Sequence, residues 1–286
     1  MSNTIMSDRF YFAPETLSLI NKYSGSTFVI KYGGSAMQNT LLQSQVIKDL
    51  SLLYFLGINI VVVHGGGIFI NDWLHKLNIK PEFQNGVRIT NSETIEIAEM
   101  VLVGKINKQL VSLFNQNHLV PVGLSGKDAN LIQASPMFKS PNNFTGQVDS
   151  VNPQLLRLLL SNRFIPVIAS IASDVSGKTY NINADTIASS IASELNAEKL
   201  ILITDTPGIL RDVQDPSSLI KNLTLGTIDS LISQGIISGG MIPKIKSCVD
   251  ALQSNVKSVH IIDGRLQHSI LYELLTYDRV GSMIVL

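Results

Sequence analysis

Residues 60–67 read IVVVHGGG, an apolar, β-branched run that ends in a histidine and three consecutive glycines. β-Branched side chains favour extended backbone, and a run without polar alternation marks a strand buried on both faces, as in a parallel sheet covered by helices. Three glycines remove every Cβ from the turn at the strand's carboxyl end, so its N–H groups can approach an anion closely. One glycine would serve a tight strand-to-helix turn; three in succession point to a ligand. Residues 68–77 then have helical character, which brings a helix N-terminus and its dipole to the same turn. His64 reads as a hydrogen-bonding member of the turn with no part in the chemistry.

The pattern recurs upstream. Residues 27–35, TFVIKYGGS, form a strand that breaks at Gly33 and Gly34 with Lys31 near its end. Ligands of open parallel sheets sit at the carboxyl ends of strands, where an ammonium beside glycine N–H groups makes a phosphate clamp. A helix over 43–56 carries the chain back to the 60–67 run as a right-handed crossover, which makes the sheet parallel. Further strands are expected at VPVGLSG, 164–170, 200–205, 259–264 and 282–286, with helices over 92–117, 152–162 and 186–195. Residues 136–151, rich in proline and asparagine, read as irregular or as a hairpin.

A chain of 286 residues that is 45% hydrophobic and 15% charged has ample material for a buried core. Lys plus Arg and Asp plus Glu both number 22, so the summed field gives no argument for nucleic acid or an anionic membrane as partner. A lone cysteine, Cys248, rules out an internal disulfide and a cysteine-built metal site; it reads as a small buried apolar residue and fits a reducing compartment. The opening MSNTIMSDRFYF lacks the marks of a signal or transit peptide, and apolar runs such as 200–203 are too short for a bilayer. The expectation is a protein without a membrane segment that works where it is made.

Three other stretches carry candidate function. Residues 14–23 form a short amphipathic helix whose stripe, Leu17, Ile20 and Tyr23, must bury against its own domain or another subunit. Residues 81–90, PEFQNGVRIT, read as a hairpin turning at Asn85 and Gly86, with Arg88 either a bidentate carboxylate grip or a surface residue. In 177–185, GKTYNINAD, Asn181, Asn183 and Asp185 alternate, and extended backbone aims all three one way, toward a substrate and neighbouring lysines. The alternative is a run of turn and cap residues with Asp185 capping the helix that follows. Residues 238–246, SGGMIPKIK, return to glycine and lysine.

Taken together, IKYGGSAM, VVVHGGG, NGVRIT, EMVLVGKINKQLV, GLSGKDANL, NINADTIA, LILITDTPGIL and GGMIPKIK resemble the N-acetylglutamate kinases of the amino acid kinase superfamily, from Phe28 to near the end of the chain. The resemblance implies an α/β fold, a three-layer αβα sandwich around a mainly parallel open sheet. It further implies an N-terminal helical extension (1–24), an acetylglutamate-binding lobe (25–195) and an ATP-binding lobe (196–286). The implied reaction moves the γ-phosphoryl of ATP to the side-chain carboxylate of N-acetyl-L-glutamate, with Mg²⁺ held mainly by phosphates and water and no protein metal site.

Carried over by motif, Lys31 and Lys244 stabilise the transferring phosphoryl, Asp185 holds both lysines, and the N–H groups of Gly34 and Gly66 contact its oxygens. Gly66, Gly67, Arg88, Asn181 and Asn183 hold acetylglutamate. Thr204, Asp205, Gly208, Ile209, Leu210 and Met241 lie at the nucleotide. Relatives with an N-terminal helix imply inhibition by arginine at a site including His268 and Glu273 and a hexamer built as a trimer of dimers, and relatives from photosynthetic lineages imply control by a PII signalling protein. Residues 277–282, YDRVGS, depart from the family in carrying Arg279 where a glycine is common. The implied setting is the cytoplasm or a plastid stroma.

Elementary chemistry agrees with those roles. A carboxylate nucleophile is already ionised at pH 7, so the reaction needs no general base; it needs positive charge and alignment to bring like charges together. Each preorganised donor is worth roughly 2.7–4 kcal/mol by analogy with oxyanion holes. The rivals are a related carboxylate or carbamate kinase, a nicotinamide-binding protein, and a catalytically silent binding protein of the same fold. No G-x-G-x-x-G follows the first strand and no Walker A lysine motif is present. Intact Lys31, Asp185 and Lys244 argue against the silent protein.

Overall fold

The computed structural model describes residues 14–84 and 87–286, with side chains from Thr16 onward. Helix α1 (Pro14–Tyr23) leads into strand β1 (Thr27–Tyr32), helix α2 (Thr40–Phe55), strand β2 (Asn59–His64) and helix α3 (Gly67–Lys76). Asn39 starts α2 by accepting from the N–H groups of Leu41 and Leu42. Strands β3 (Glu82–Gln84) and β4 (Val87–Ile89) pair antiparallel, so the hairpin forms; its turn residues Asn85 and Gly86 lie outside the described residues.

The single helix expected over 92–117 is interrupted. Helix α4 (Ser92–Glu99) passes into a π-helical segment, Met100–Ile106, before α5 (Asn107–Gln116). Hydrophobic periodicity cannot register such a segment, because one widened turn shifts the phase of the helix without ending it. Strands β5 (Pro121–Ser125), β6 (Ile132–Pro136) and β7 (Thr145–Val151) follow, then α6 (Gln154–Ser161), β8 (Ile165–Ala169), β9 (Ile171–Ser173), β10 (Thr179–Ile182) and α7 (Ala184–Glu194). The rest comprises β11 (Lys199–Thr204), β12 (Asn222–Thr224), α8 (Leu225–Ser233), α9 (Met241–Gln253), β13 (Ser258–Asp263), α10 (Ser269–Leu275) and β14 (Ser282–Val285).

Eight strands form one sheet in the order β12-β14-β13-β11-β1-β2-β8-β5, parallel except where β13 meets β14. Residues 25–195 and 196–286 both contribute strands to it. β1 lies inside, pairing Phe28 with Lys199 of β11 and Tyr32 with His64 of β2. Alternate residues face opposite layers. Phe28, Ile30, Ile60 and Val62 pack with Ile47, Leu50 and Leu53 of α2, while Val29, Val61, Val63 and Leu200 pack with the small face of α7 and with Cys248 and Ala251 of α9. The result is the three-layer α/β sandwich expected.

Residues 145–151 resolve the irregular-or-hairpin alternative: β7 pairs antiparallel with β6, and β10-β7-β6-β9 close into a small barrel beside the sheet. Helix α1 packs on its own chain. Thr16 Oγ1 donates to Leu275 O at 3.2 Å and Tyr23 meets the Phe28 ring edge-on at 5.5 Å, while Leu17 stays 57% exposed. Among the described residues no helix is long and apolar enough to cross a membrane.

Candidate active site

Because Tyr32 stands opposite His64, the turns after β1 and β2 emerge side by side at the sheet's carboxyl edge. Lys31 folds back over Gly33 so closely that a Cβ there would lie 2.5 Å from Nζ. Gly34 has φ 75, a conformation that side chains resist, and a Cβ on it would meet Asp205 Oδ1 at 2.5 Å. That oxygen accepts from both Ser35 N and Ser35 Oγ at 2.7 Å, so the residue following β11 ties down the turn following β1.

Asp185 lies in the first turn of α7. The helix cap is Asn183, whose side chain accepts from Asp185 N at 2.7 Å, so the reading of Asp185 as the cap is corrected. A cap stands before its helix, and freeing Asp185 from that duty lets its carboxylate face inward. Lys31 Nζ stands 3.2 Å from Oδ1, and Lys244 Nζ from the first turn of α9 donates to Oδ2 at 2.6 Å. Burial alone pushes the Asp185 carboxyl up, but the two ammonium groups outweigh it and hold the group at about 2. One carboxylate between two lysines leaves a surplus positive charge at the mouth of the glycine turns.

A cavity of about 250 Å³ opens there, lined by Lys31, Gly34, Gly66, Gly67, Arg88, Asn181, Asn183 and Asp185 among others. Arg88 Nη2 donates to Gly67 O at 3.0 Å and to Asn71 Oδ1 at 2.5 Å, and the guanidinium lies 4.7 Å from the Phe83 ring centre. Its Nη1 is buried with no partner among the described residues. Burial also lowers the Arg88 pKa from its ordinary value. Asn181 Nδ2 donates to Thr90 Oγ1 at 3.1 Å. Arg88 is therefore a buried arginine with half its fork free, which excludes the surface reading.

A second cavity, about 310 Å³, is lined by Lys31, Gly34, Thr204, Asp205, Thr206, Gly240, Met241 and Lys244. The two cavities share Lys31 and Gly34. Gly208, Ile209 and Leu210 lie off this second cavity: Ile209 N donates to Ser282 Oγ at 2.9 Å, Gly208 abuts the same hydroxyl, and Leu210 bridges to Leu219. Among the described residues no group of three or more His, Cys, Asp and Glu is placed to hold a metal.

His268 and Glu273 are not brought together. His268 Nδ1 lies 2.7 Å from Asp49 Oδ1, whose carboxyl burial pushes up to about 6. Glu273 is buried elsewhere, with Oε1 2.7 Å from His260 Nδ1 and Oε2 accepting from the N–H groups of Val280 and Gly281. It lines a third cavity between α1 and the C-terminal strands, together with Lys22, Tyr23, Lys199 and Arg279. Lys199 donates to Ser258 Oγ at 3.1 Å and His260 Nε2 at 3.2 Å, and burial lowers its pKa to about 8. Sequence reading passed over Lys199, although a lone charge opening the apolar run KLILIT is a visible signal. It also passed over Ser35 and Asn71, which carry none.

The amino acid kinase family matches residues 26–263. The acetylglutamate kinase of Gracilaria tenuistipitata var. liui is 54% identical over 280 residues, 98% of each chain, and that of Thermosynechococcus vestitus is 50% identical over 279 residues, 98% of this chain and 95% of the relative. Among solved structures, N-acetylglutamate synthase from Neisseria gonorrhoeae complexed with coenzyme A and N-acetyl-glutamate superimposes with a TM-score of 0.84 at 25% identity, over 95% of this chain and 62% of the synthase. Joined to the two-lysine site at the glycine turns, these likenesses show that the chain belongs to the amino acid kinase family, among its acetylglutamate kinases.

Proposed function

We propose that this acetylglutamate kinase seats N-acetylglutamate in the Arg88 cavity and ATP in the Met241 cavity, and passes the γ-phosphoryl between them beside Lys31. The observation that carries the reading is the shared wall: Lys31 and Gly34 line both cavities, so a group held against them is in reach of both occupants. The lining residues of the first cavity all fall within 31–185, while those of the second, Lys31 and Gly34 apart, fall within 204–244, in keeping with an acceptor lobe (25–195) and a nucleotide lobe (196–286).

Each group then has a task. Arg88, which lines the first cavity on the rigid hairpin, takes a carboxylate oxygen of acetylglutamate, since a planar charged donor held in place suits that partner. Asn181, Asn183 and the Gly66 and Gly67 backbone complete the acceptor seat. Lys31 and Lys244 approach the phosphoryl from either side of Asp185, which fixes their separation without neutralising both. Donors fixed in advance need no reorganisation as charge builds in the transition state. The N–H groups of Gly34 and Gly66 supply the remaining contacts. Thr204, Asp205 and Met241 flank the nucleotide, with Gly208, Ile209 and Leu210 behind them, and Mg²⁺ travels with ATP on phosphate oxygens and water.

Regulation is part of the proposal. Arginine binds the third cavity, where Glu273 lies beside α1, and α1 joins three dimers into a hexamer. His268 belongs to this effector region through the segment preceding α10, and a PII signalling protein is a further partner. The relatives include algal and cyanobacterial enzymes, which is compatible with a cytoplasmic or plastid setting. The test is coupled ADP release with ATP and each of acetylglutamate, aspartate, glutamate and carbamate, with and without arginine. Release that depends on acetylglutamate is expected; turnover indifferent to the acceptor refutes the reading.

A further inference from the structure

His64 ends the central strand β2, is fully buried, and has no place in the scheme above. Its ring is held from both sides. Nδ1 lies 3.0 Å from Gly65 O, and Nε2 lies 3.1 Å from Asn107 Nδ2. The Asn107 amide is itself oriented, because Nδ2 also faces Val167 O at 2.8 Å and Leu124 O at 3.2 Å. Two backbone carbonyls face that nitrogen, so the NH₂ group must sit there and the amide oxygen on the other side, where it is buried without a partner. Asn107 is therefore the donor, His64 Nε2 the acceptor, and the imidazole proton sits on Nδ1, donating to Gly65 O.

What this proton does follows from the planarity of the peptide. In a trans peptide the C=O of one residue and the N–H of the next point in opposite directions, and no described peptide here is cis. Holding Gly65 O back toward His64 turns the Gly66 N–H the other way, and both glycines line the first cavity. Among the described residues no acceptor within the protein takes that N–H. The π-helical segment explains why Asn107 is in place. Asn107 N–H donates to Leu102 O, five residues back, and the widened turn rotates Asn107 onto the sheet while Leu102 covers Gly66, where a Cβ would lie 2.7 Å from Leu102 Cδ2.

We propose that His64, locked by Asn107 as the neutral Nδ1–H tautomer, is a positioning residue that aims the Gly66 N–H at the transferring phosphoryl. The inference rests on the proposed role of Gly66. Burial that holds the His64 pKa down at about 4 keeps the ring neutral across the working range, so its orientation does not change with pH.

The test joins spectroscopy to kinetics. Histidine-labelled wild-type enzyme is read by long-range ¹H–¹⁵N NMR from pH 5.5 to 8.5, and His64→Leu and His64→Asn are assayed for ADP release. Asparagine keeps a donor close to the Nδ1 position, whereas leucine has none. The expected results are a non-titrating Nδ1–H signature, a fall in kcat of about a hundredfold in His64→Leu, as for loss of one oxyanion-hole donor, and a KM for acetylglutamate within about threefold of wild type. His64→Asn should recover most of the lost kcat. An Nε2–H or titrating ring, an unaffected kcat in His64→Leu, or a folded His64→Asn as slow as His64→Leu overturns the proposal. Should His64→Leu fail to fold, the NMR signature and His64→Asn decide. A wild-type enzyme idle with acetylglutamate would sink the functional reading instead, a result distinct from an active enzyme whose rate ignores His64.

Discussion

Lys244 Nζ donates to Asp185 Oδ2 at 2.6 Å although 59 residues separate them, and Lys31 reaches the other carboxylate oxygen from the first strand. Asp185→Asn removes the charge that spaces the two lysines, and Lys31→Ala or Lys244→Ala removes one of them. Each should lower kcat by about a hundredfold or more, because transition-state charge stabilisation is lost. Steady-state kinetics on folded variants checks this, and near-normal kcat in either lysine variant rejects the clamp.

Arg88→Lys keeps the charge and loses the fork. Lysine has one nitrogen to divide between Gly67 O, Asn71 Oδ1 and the ligand, so KM for acetylglutamate should rise about tenfold while KM for ATP stays nearly unchanged. Equal rises for both substrates would remove Arg88 from the acceptor seat.

Gly34→Ala forces a side chain into φ 75 and against Asp205. The turn should shift, raising KM for ATP and lowering kcat by at least about tenfold. Gly25→Ala is the control: Gly25 has φ 81 with open space around it, so that variant isolates backbone strain of about 1 kcal/mol. If the two variants behave alike in the assay, the Gly34 contact with Asp205 has no part in turnover.

Asp49 gives a pH prediction. Its folded carboxyl is raised from 3.8 to about 6, chiefly by burial, so between those values the native state holds a proton that the unfolded chain releases. Stability from this group is present below about pH 4 and lost as pH rises through about 6. Asp49→Asn should therefore gain on wild type by about 2 kcal/mol between pH 4 and 7.5. Urea unfolding at the two pH values measures it, and a constant difference between the proteins would contradict the assignment.

Leu17 stands 57% exposed on α1, while Thr16 and Tyr23 fasten the helix to its own chain. If α1 joins dimers, Leu17→Glu should yield dimers with a Tm within a few degrees of wild type, and arginine inhibition should fall with assembly. Light scattering and inhibition curves decide: a hexamer inhibited as before excludes this face.

The sheet was legible because its strands are written as apolar β-branched runs, and the site because glycines follow two of them. What escaped notice depends on contacts distant in sequence. The strand at 132–136 gains its identity by pairing with β7 and closing a barrel, and IQASP alone has little strand character. The cap at Asn183 and the inward turn of Asp185 are one residue-phase decision, which alternation alone leaves open. The π segment hides within a helical pattern, and the orphaned Nη1 of Arg88 exists only once Gly67 and Asn71 have engaged the opposite nitrogen.

The interior position of β1 also bears on how the chain comes off the ribosome. Its register sets Phe28 against Lys199, so one whole edge of this apolar strand stays unsatisfied until about two thirds of the polypeptide has been made. An unpaired hydrophobic edge recruits other chains. Synthesis of this enzyme should therefore lean on holdase chaperones bound to the nascent N-terminal half, and a translational pause before β11 has emerged from the ribosome should cost soluble yield where a pause after its emergence would not.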